Sequence, residues 1–425
     1  MHRIAKVEVE GFWENYDLSF EVNPDVTFFI GQNGSGKTTL INLIAAVLTA
    51  DFHTLNKIPF KKVTIYFDAI RRAKPVPFVS VVKKESRSRP FQTLEYRILS
   101  GESGKEQKFS IDEGDEEFLY RRYAAEVRGE EFYRRIRPGL VEELRRMFSV
   151  NWLSINRINR VVPSRDDKVF ESSVDRKIES ISTDLLRYFS VLSQSKDEEV
   201  RQFQESIFMS LLDRSDEYSP LDMRIITNLE AYKETIQNIF KELHVSNENT
   251  QAIINSFIER AQYLKENFQS RVMIQDAVFI AGFKKIEAIV QRWDSLQEKL
   301  GEIFSQRNKF SNMLNALLQR KTMEVAASNE LQFKTRSGKI LTPHMLSSGE
   351  KQLLILLSET LLQRERPTIF IADEPELSLH VLWQEKLVGN LTALNPKAQL
   401  LIATHSPDIV GSLEGNALDM ETLIQ

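Results

Sequence analysis

Val26-Thr27-Phe28-Phe29-Ile30 runs directly into Gly31-Gln32-Asn33-Gly34-Ser35-Gly36-Lys37-Thr38, and an apolar helical stretch follows over residues 39–48. The loop fits G-x-x-x-x-G-K-[ST] without a gap, between a buried strand and a helix, which is the context that pattern needs. Its glycines let backbone N–H groups close around phosphate oxygens, at the positive end of the following helix. Lys37 has the reach for β- and γ-phosphates, and the Thr38 hydroxyl suits Mg²⁺. A chance glycine-rich turn would not bring strand, loop and helix together in this order. The stretch implies a nucleoside triphosphate site made of Gly31, Asn33, Gly34, Ser35, Gly36, Lys37, Thr38 and Thr39.

A chain of 425 residues is long for one domain, so two lobes or a domain with an insertion is expected. There is no cysteine, which excludes disulfides, a thiol nucleophile and Cys-ligated zinc. The N-terminus runs into an alternating strand rather than the apolar core of a signal peptide. The most apolar segment, residues 353–362, is too short to span a bilayer and contains Glu359. A cytoplasmic protein without membrane contact is the expectation. Net charge is −4, which excludes a wholly basic nucleic-acid binder. Residues 121–165 nonetheless hold eleven Arg against five Glu, with no Lys or Asp. That stretch reads either as a solvated helix face or as a phosphate-contacting surface.

Along the chain, residues 3–30 alternate like strands of a half-buried sheet. Further strands are expected over 62–67, 78–82, 94–99 and 108–111, with a turn at 100–104. An Arg-rich helical region then leads to a return strand over 150–155. From about residue 166 to 320 Gly and Pro nearly vanish. Ile286, Ile289, Trp293, Leu296, Leu300, Ile303, Phe310, Leu314 and Leu317 repeat at heptad-like spacing, broken only at Arg307. About 45 helical residues would extend roughly 65–70 Å, and such a helix needs a partner from residues 174–208 or 225–268. The region reads as an inserted helical arm, or alternatively as a packed bundle. Strands return over 323–326 and 331–334, followed by a helix over 351–363 and strands over 368–372 and 399–403.

Those last two strands end in Asp373-Glu374 and Thr404-His405. Two adjacent carboxylates at the end of an interior strand are costly unless a cation uses them. With a phosphate loop in the same chain, Asp373 suits Mg²⁺ held through water and Glu374 suits polarising the attacking water. His405, at a second strand end, can hydrogen-bond the γ-phosphate or that water; the bland alternative is a structural histidine. Leu346-Ser347-Ser348-Gly349-Glu350 has the form of a helix N-cap.

Taken in order, these pieces resemble an ABC-type ATPase head of the SMC/RecF/OLD branch. Walker A lies at 31–38, the signature at 346–352, Walker B at 368–374, the D-loop at 375–380 and the switch at 404–407. The resemblance implies an α/β fold, a two-lobed ABC-type P-loop ATPase head with an inserted helical, coiled-coil-like arm. Residues 1–165 would form the first lobe, 166–320 the arm and 321–425 the second lobe. It implies ATP and Mg²⁺, with Thr38 and Asp373 as metal residues and Glu374 and His405 as catalytic ones. It also implies a head-to-tail homodimer, open to higher oligomers, in which Ser347 and Gly349 contact the nucleotide held by the other subunit. The chain departs from the family pattern at Gly11-Phe12-Trp13, where a basic residue is often found, and no Q-loop glutamine stands out.

In an ABC transporter subunit the signature follows Walker A closely, without such an arm between, and a chromosome-scale SMC protein has a far longer coiled coil and a hinge. OLD nucleases carry a Toprim carboxylate cluster past the switch, and none is seen here, so any cutting of nucleic acid is expected from another polypeptide. The plan is similar to the defence ATPases of Septu (PtuA-like) and PARIS (AriA-like) systems, which implies a switch subunit controlling a separate nuclease or toxin effector. A RecF-like repair ATPase is the alternative, and a module that holds ATP without hydrolysing it is a third reading. The genes beside this one would discriminate the first two.

Overall fold

The computed structural model describes residues 2–68, 76–85, 92–100, 105–112, 138–153, 173–212, 229–242, 247–267 and 274–424. The chain divides into two compact units, Met1–Arg187 with Arg307–Gln425, and Tyr188–Gln306.

The chain begins with the hairpin β1 (Ile4–Phe12) and β2 (Tyr16–Glu21), then β3 (Val26–Ile30), α1 (Lys37–Thr49) and the short α2 (Phe52–Lys57). Next come β4 (Lys62–Phe67), β5 (Phe78–Glu85), β6 (Gln92–Leu99), β7 (Glu106–Asp112), α3 (Pro138–Met147) and β8 (Val150–Leu153). The helices α4 (Ser173–Leu212), α5 (Leu229–Glu242), α6 (Glu248–Asn267) and α7 (Ile274–Leu317) follow. The chain ends with β9 (Lys321–Val325), β10 (Leu331–Thr335), β11 (Ile340–Leu341), α8 (Ser348–Leu362), β12 (Ile369–Asp373), α9 (Val381–Leu394), β13 (Gln399–Ala403), α10 (Pro407–Val410), β14 (Ala417–Asp419) and α11 (Met420–Leu423).

Among the described residues the strands form three sheets. One is antiparallel, in the order β2-β1-β4-β5-β6-β7. A second is wholly parallel, in the order β14-β3-β13-β12-β8. The third is the small antiparallel β11-β10-β9. Every residue of β13, and all but the last of β3 and β12, is buried. That is why these strands read as unbroken apolar runs rather than as alternation: a parallel sheet is covered on both faces. The helix α1 explains part of the cover. Leu40, Ile41, Leu43, Ile44, Ala45, Ala46, Val47 and Leu48 are all buried, so the helix has no solvent stripe. It packs into one cluster with Val7, Val63, Val79 and Tyr96 of the antiparallel sheet and Phe29, Ile371 and Leu401 of the parallel one. The two sheets are also pinned at Gln399, whose buried amide donates to Ile4 O and Asn23 O and accepts from Ile4 N.

Register then decides where function can sit. Asp373 pairs with Ala403 and Ala403 with Phe29, so β3, β12 and β13 end at one edge of the sheet. The segments that leave that edge are Gly31 onward, Glu374 onward and Thr404 onward. In open α/β sheets this carboxyl edge is where ligands bind.

Within Tyr188–Gln306 the apolar face of α7 finds partners in all three neighbouring helices. Trp293, Leu296, Ile289 and Leu300 pack with Phe203, Val200 and Ile207 of α4 and with Ile239 of α5. Ile286 and Val290 pack with Ile236 of α5 and with Ile254 and Ile258 of α6. Phe283 stacks on Phe257 at 5.6 Å. Lys299 bonds Glu199 at 2.7 Å across the α4–α7 seam. Both stretches expected as alternative partners therefore contribute, which a single two-stranded seam would not require. The helix α8 starts at Ser348, earlier than the expected 351, because Ser347 caps it. The short α2 was not expected at all: Asp51 nucleates it by accepting from Thr54 N and Thr54 Oγ1. The turn at 101–104 and residues 121–137 and 154–165 of the Arg-rich stretch lie outside the described residues.

Candidate functional site

Each element delivers one part of the site. Gly36 caps α1 with φ at 96°, a left-handed conformation that favours glycine. A side chain there would also meet the Trp13 ring at 2.8 Å. Lys37 follows, 3% exposed, with Nζ donating to Gly31 O at 2.9 Å and Gln32 O at 3.0 Å. Burial pushes the Lys37 ammonium down, while Glu374, Asp373 and Glu376 pull it back up. Thr38 Oγ1 donates to Asp373 Oδ1 at 3.0 Å, joining the start of α1 to the end of β12. Burial pushes the Asp373 carboxyl up, against the Thr38 hydrogen bond.

Glu374 stands in the left-handed region at φ 49°, a conformation that costs a non-glycine residue about 1–2 kcal/mol. Its N–H donates to Ala403 O at 2.8 Å, and that bond across the sheet edge holds it there. Glu374 Oε1 lies 3.3 Å from His405 Nε2, and His405 Nδ1 lies 3.4 Å from Lys37 Nζ. One imidazole thus stands between the Lys37 ammonium and the Glu374 carboxyl. Burial, then the charge of Glu376, a hydrogen bond with it, and the charge of Asp373 push the Glu374 carboxyl up to about 8.

The structure brings Lys37, Thr38, Asp373, Glu374 and His405 together. Asn33 and Gly34 are exposed at the loop surface, with Thr39 half-buried behind them. Nothing lies within 4 Å of a Cβ built on Gly34. Ser35 Oγ is buried without a hydrogen-bond partner among the described residues. An open loop face and an orphaned hydroxyl fit a phosphate ligand.

Ser347 and Gly349 belong to a different environment. Ser347 and Glu350 form a capping box at the start of α8, and Lys321 clamps Glu350 at 2.7 and 2.9 Å. Ser347 is exposed, while Gly349 is buried against the 377–379 loop. A side chain at Gly349 would stand 2.3 Å from Ser378 O. Among the described residues the contacts given for Ser347 and Gly349 run to Glu350, Lys351, Ser378 and Trp383, not to residues 31–39.

Sequence reading missed two contributors. Trp13 and Glu14 both take positive φ, 50° and 72°, in the β1–β2 turn. The Trp13 ring, stacked on Phe12 at 5.0 Å, rests on Gly36. Glu376 anchors residues 404–406: its Oε1 accepts from Thr404 Oγ1, from His405 N at 2.9 Å and from Ser406 N at 3.2 Å. A third acid so close to Asp373-Glu374 was the signal for it, because a buried carboxylate there needs donors. Of the arginine-rich stretch, Arg145 and Arg146 are exposed on α3, and Leu140, Leu144 and Met147 bury its other side. Arg146 lies 3.5 Å from Glu143. This part has the pattern of a solvated face.

A phosphate loop after β3, paired acids at the end of β12 and a histidine at the end of β13 of one parallel sheet define an ABC-type P-loop ATPase head, here with a long helical insertion. The chain belongs to the family described as "AAA domain, putative AbiEii toxin, Type IV TA system", which matches residues 26–411. Among solved structures it is similar to the Smc head domain with an extended coiled coil bound to the C-terminal domain of ScpA from Pyrococcus furiosus, at 15% identity over 99% of this chain and 93% of that chain, TM-score 0.41. It is also similar to the Smc head domain with a coiled coil and joint from Pyrococcus yayanosii, at 15% identity over 99% and 95%, TM-score 0.40. A third is the Smc head bound to the C-winged helix domain of ScpA, at 12% identity over 98% and 93%, TM-score 0.41. No helix among the described residues is long and apolar enough to cross a membrane.

Proposed function

We propose that this chain is an ATP-binding and ATP-hydrolysing switch subunit that controls a separate nuclease or toxin effector in bacterial anti-phage defence. The observation that carries the enzymatic part is the convergence of Lys37, Thr38, Asp373, Glu374 and His405 at one sheet edge. The loop N–H groups and Lys37 bind the triphosphate. Thr38 and Asp373, already paired at 3.0 Å, would hold Mg²⁺, which supplies positive charge to the β- and γ-phosphate oxygens. Glu374 orients the attacking water and accepts its proton, and His405 fixes the carboxyl that does so. Ser347, exposed at the start of α8, completes the site of a second copy of the chain.

The defence reading draws support from the family description, which names a putative AbiEii toxin and a Type IV TA system, and the separate effector from the plan of head plus modest arm. It stays at the level of a Septu- or PARIS-like arrangement. The chain is expected to act in the cytoplasm, with an arm spanning residues 166–320.

The test is phosphate release from ATP and Mg²⁺ by the purified chain, with Glu374→Gln as control, followed by incubation with single- and double-stranded DNA and RNA. Slow hydrolysis that disappears in the variant, without cleavage of nucleic acid, is the expected result. Hydrolysis equal in both chains would overturn the enzymatic reading. Cleavage that survives repurification and vanishes with a point mutation in this chain would overturn the separate effector.

A further inference from the structure

Glu376 is 8% exposed, and nothing in the hydrolytic scheme above uses it. One of its oxygens collects donors from three successive residues of the switch: Thr404 Oγ1, His405 N and Ser406 N. A carboxylate left without donors at that burial would be strongly unfavourable. Supplied with charge-assisted hydrogen bonds, each about 1.5–3 kcal/mol, it is a strong point of attachment. Its other oxygen, Oε2, is buried and has no hydrogen-bond partner among the described residues, so the grip on the chain runs through Oε1.

The attachment acts on the segment that has to be aimed. Thr404 is buried at 1% exposure, whereas the His405 side chain is 37% exposed. Ser406 Oγ donates to Gln384 Oε1 at 2.6 Å and accepts from Asp408 N at 3.2 Å. The far side of the loop is thus tied to α9 and to the start of α10. Between those ties, the backbone N–H of His405 has one acceptor, Glu376 Oε1 at 2.9 Å. The imidazole is held 3.3 Å from Glu374 and 3.4 Å from Lys37 by the main chain that Glu376 grips.

We propose that Glu376 is a positioning residue of the hydrolytic site, whose buried carboxylate grips residues 404–406 so that the His405 imidazole stands between Lys37 and Glu374. This rests on the reading of the chain as an ATPase. Glu376 acts through His405, whose main chain it holds. Glutamine at this position keeps an oxygen able to accept the same three donors, whereas alanine removes it.

The experiment compares wild type, Glu376→Ala, Glu376→Gln, His405→Ala and Glu376→Ala/His405→Ala by kcat, KM, binding of a fluorescent ATP analogue and thermal unfolding. Glu376→Ala should lower kcat by about 10- to 100-fold with KM and analogue affinity little changed, and Glu376→Gln should recover most of the loss. The double variant should be no slower than His405→Ala, because residues that act as one unit are not additive. Wild-type kcat in Glu376→Ala, or losses that multiply in the double variant, would overturn the proposal. Imidazole NMR resonances of His405, assigned by their loss in His405→Ala, give a reading that needs no turnover. They should shift or broaden in Glu376→Ala and return in Glu376→Gln, and unchanged resonances in Glu376→Ala would refute positioning. Absence of phosphate release from the wild-type chain would instead refute the ATPase reading, and the NMR arm would still decide the role of Glu376. If Glu376→Ala is poorly folded, Thr404→Val, which removes one of the three donors, should give a smaller effect of the same sign on kcat alone.

Discussion

His405 Nε2 lies 3.3 Å from Glu374 Oε1, which joins the ends of β12 and β13 through the two residues suited to handle a water molecule. The pair lies beside the Lys37 ammonium, which has the charge to compensate a γ-phosphate. Lys37 and Glu374 should therefore fail in different ways. Lys37→Ala should lose nucleotide affinity, because β/γ-phosphate charge is left uncompensated. Glu374→Gln should bind normally and lose about 10²-fold or more in turnover. Equilibrium binding of a fluorescent ATP analogue and single-turnover hydrolysis separate the two.

The Glu374 carboxyl also gives the nucleotide-free chain a pH signature. Burial, with the charge of Glu376 next, pushes it up to about 8, against an ordinary value of 4.5. Between those values the folded chain holds a proton that the unfolded chain has released. Stability from this group is therefore present at low pH and is lost as pH rises toward 8. Urea midpoints measured from about pH 5 to about pH 8.5 should fall in wild type and fall less in Glu374→Gln. An identical slope in the two chains would place the effect elsewhere.

A composite site makes a complementation prediction. Ser347→Arg puts bulk and charge on the exposed N-cap of α8, so each chain should still bind ATP through its own loop. Mixing Ser347→Arg with Lys37→Ala chains should recover part of the lost hydrolysis, since one site per mixed dimer keeps both halves. A mixture as inactive as its components, with both chains folded and associating, would rule out the shared site.

Gly349→Ala should act through packing. The new methyl would meet Ser378 O at 2.3 Å, and a backbone carbonyl cannot rotate away. Either α8 or the loop at 377–379 must move, at a cost of about 1–3 kcal/mol. A lower urea midpoint together with reduced hydrolysis is the expected outcome, and an unchanged midpoint would show that the approach relaxes freely.

The core of the first unit should respond to Ile44→Ala. Ile44 is fully buried on a helix that packs against strands of both large sheets, so the substitution should cost about 2–5 kcal/mol. Chemical denaturation checks it, and a loss below about 1 kcal/mol would mean that the site collapses around the smaller side chain.

The loop, the paired acids and His405 were legible in the sequence because each follows an apolar strand. A short run of buried residues that ends in glycine or in charge is a local signal. The heptad spacing from Ile286 to Leu317 was legible for the same reason, since it reports one helix and its apolar face. Which helices cover that face was not legible: α4, α5 and α6 all offer apolar stripes, and spacing carries no information about partners. Nor was the hold of Glu376 on residues 404–406, or the place of Trp13 against Gly36. Those contacts join residues apart in the chain: the first needs β12 and β13 to end in register at one edge, and the second needs the β1–β2 turn to reach the start of α1. The sequence by itself determined which chemistry is present. The parallel pairing of strands, which depends on burial of both sheet faces, decided that Lys37, Glu374 and His405 meet.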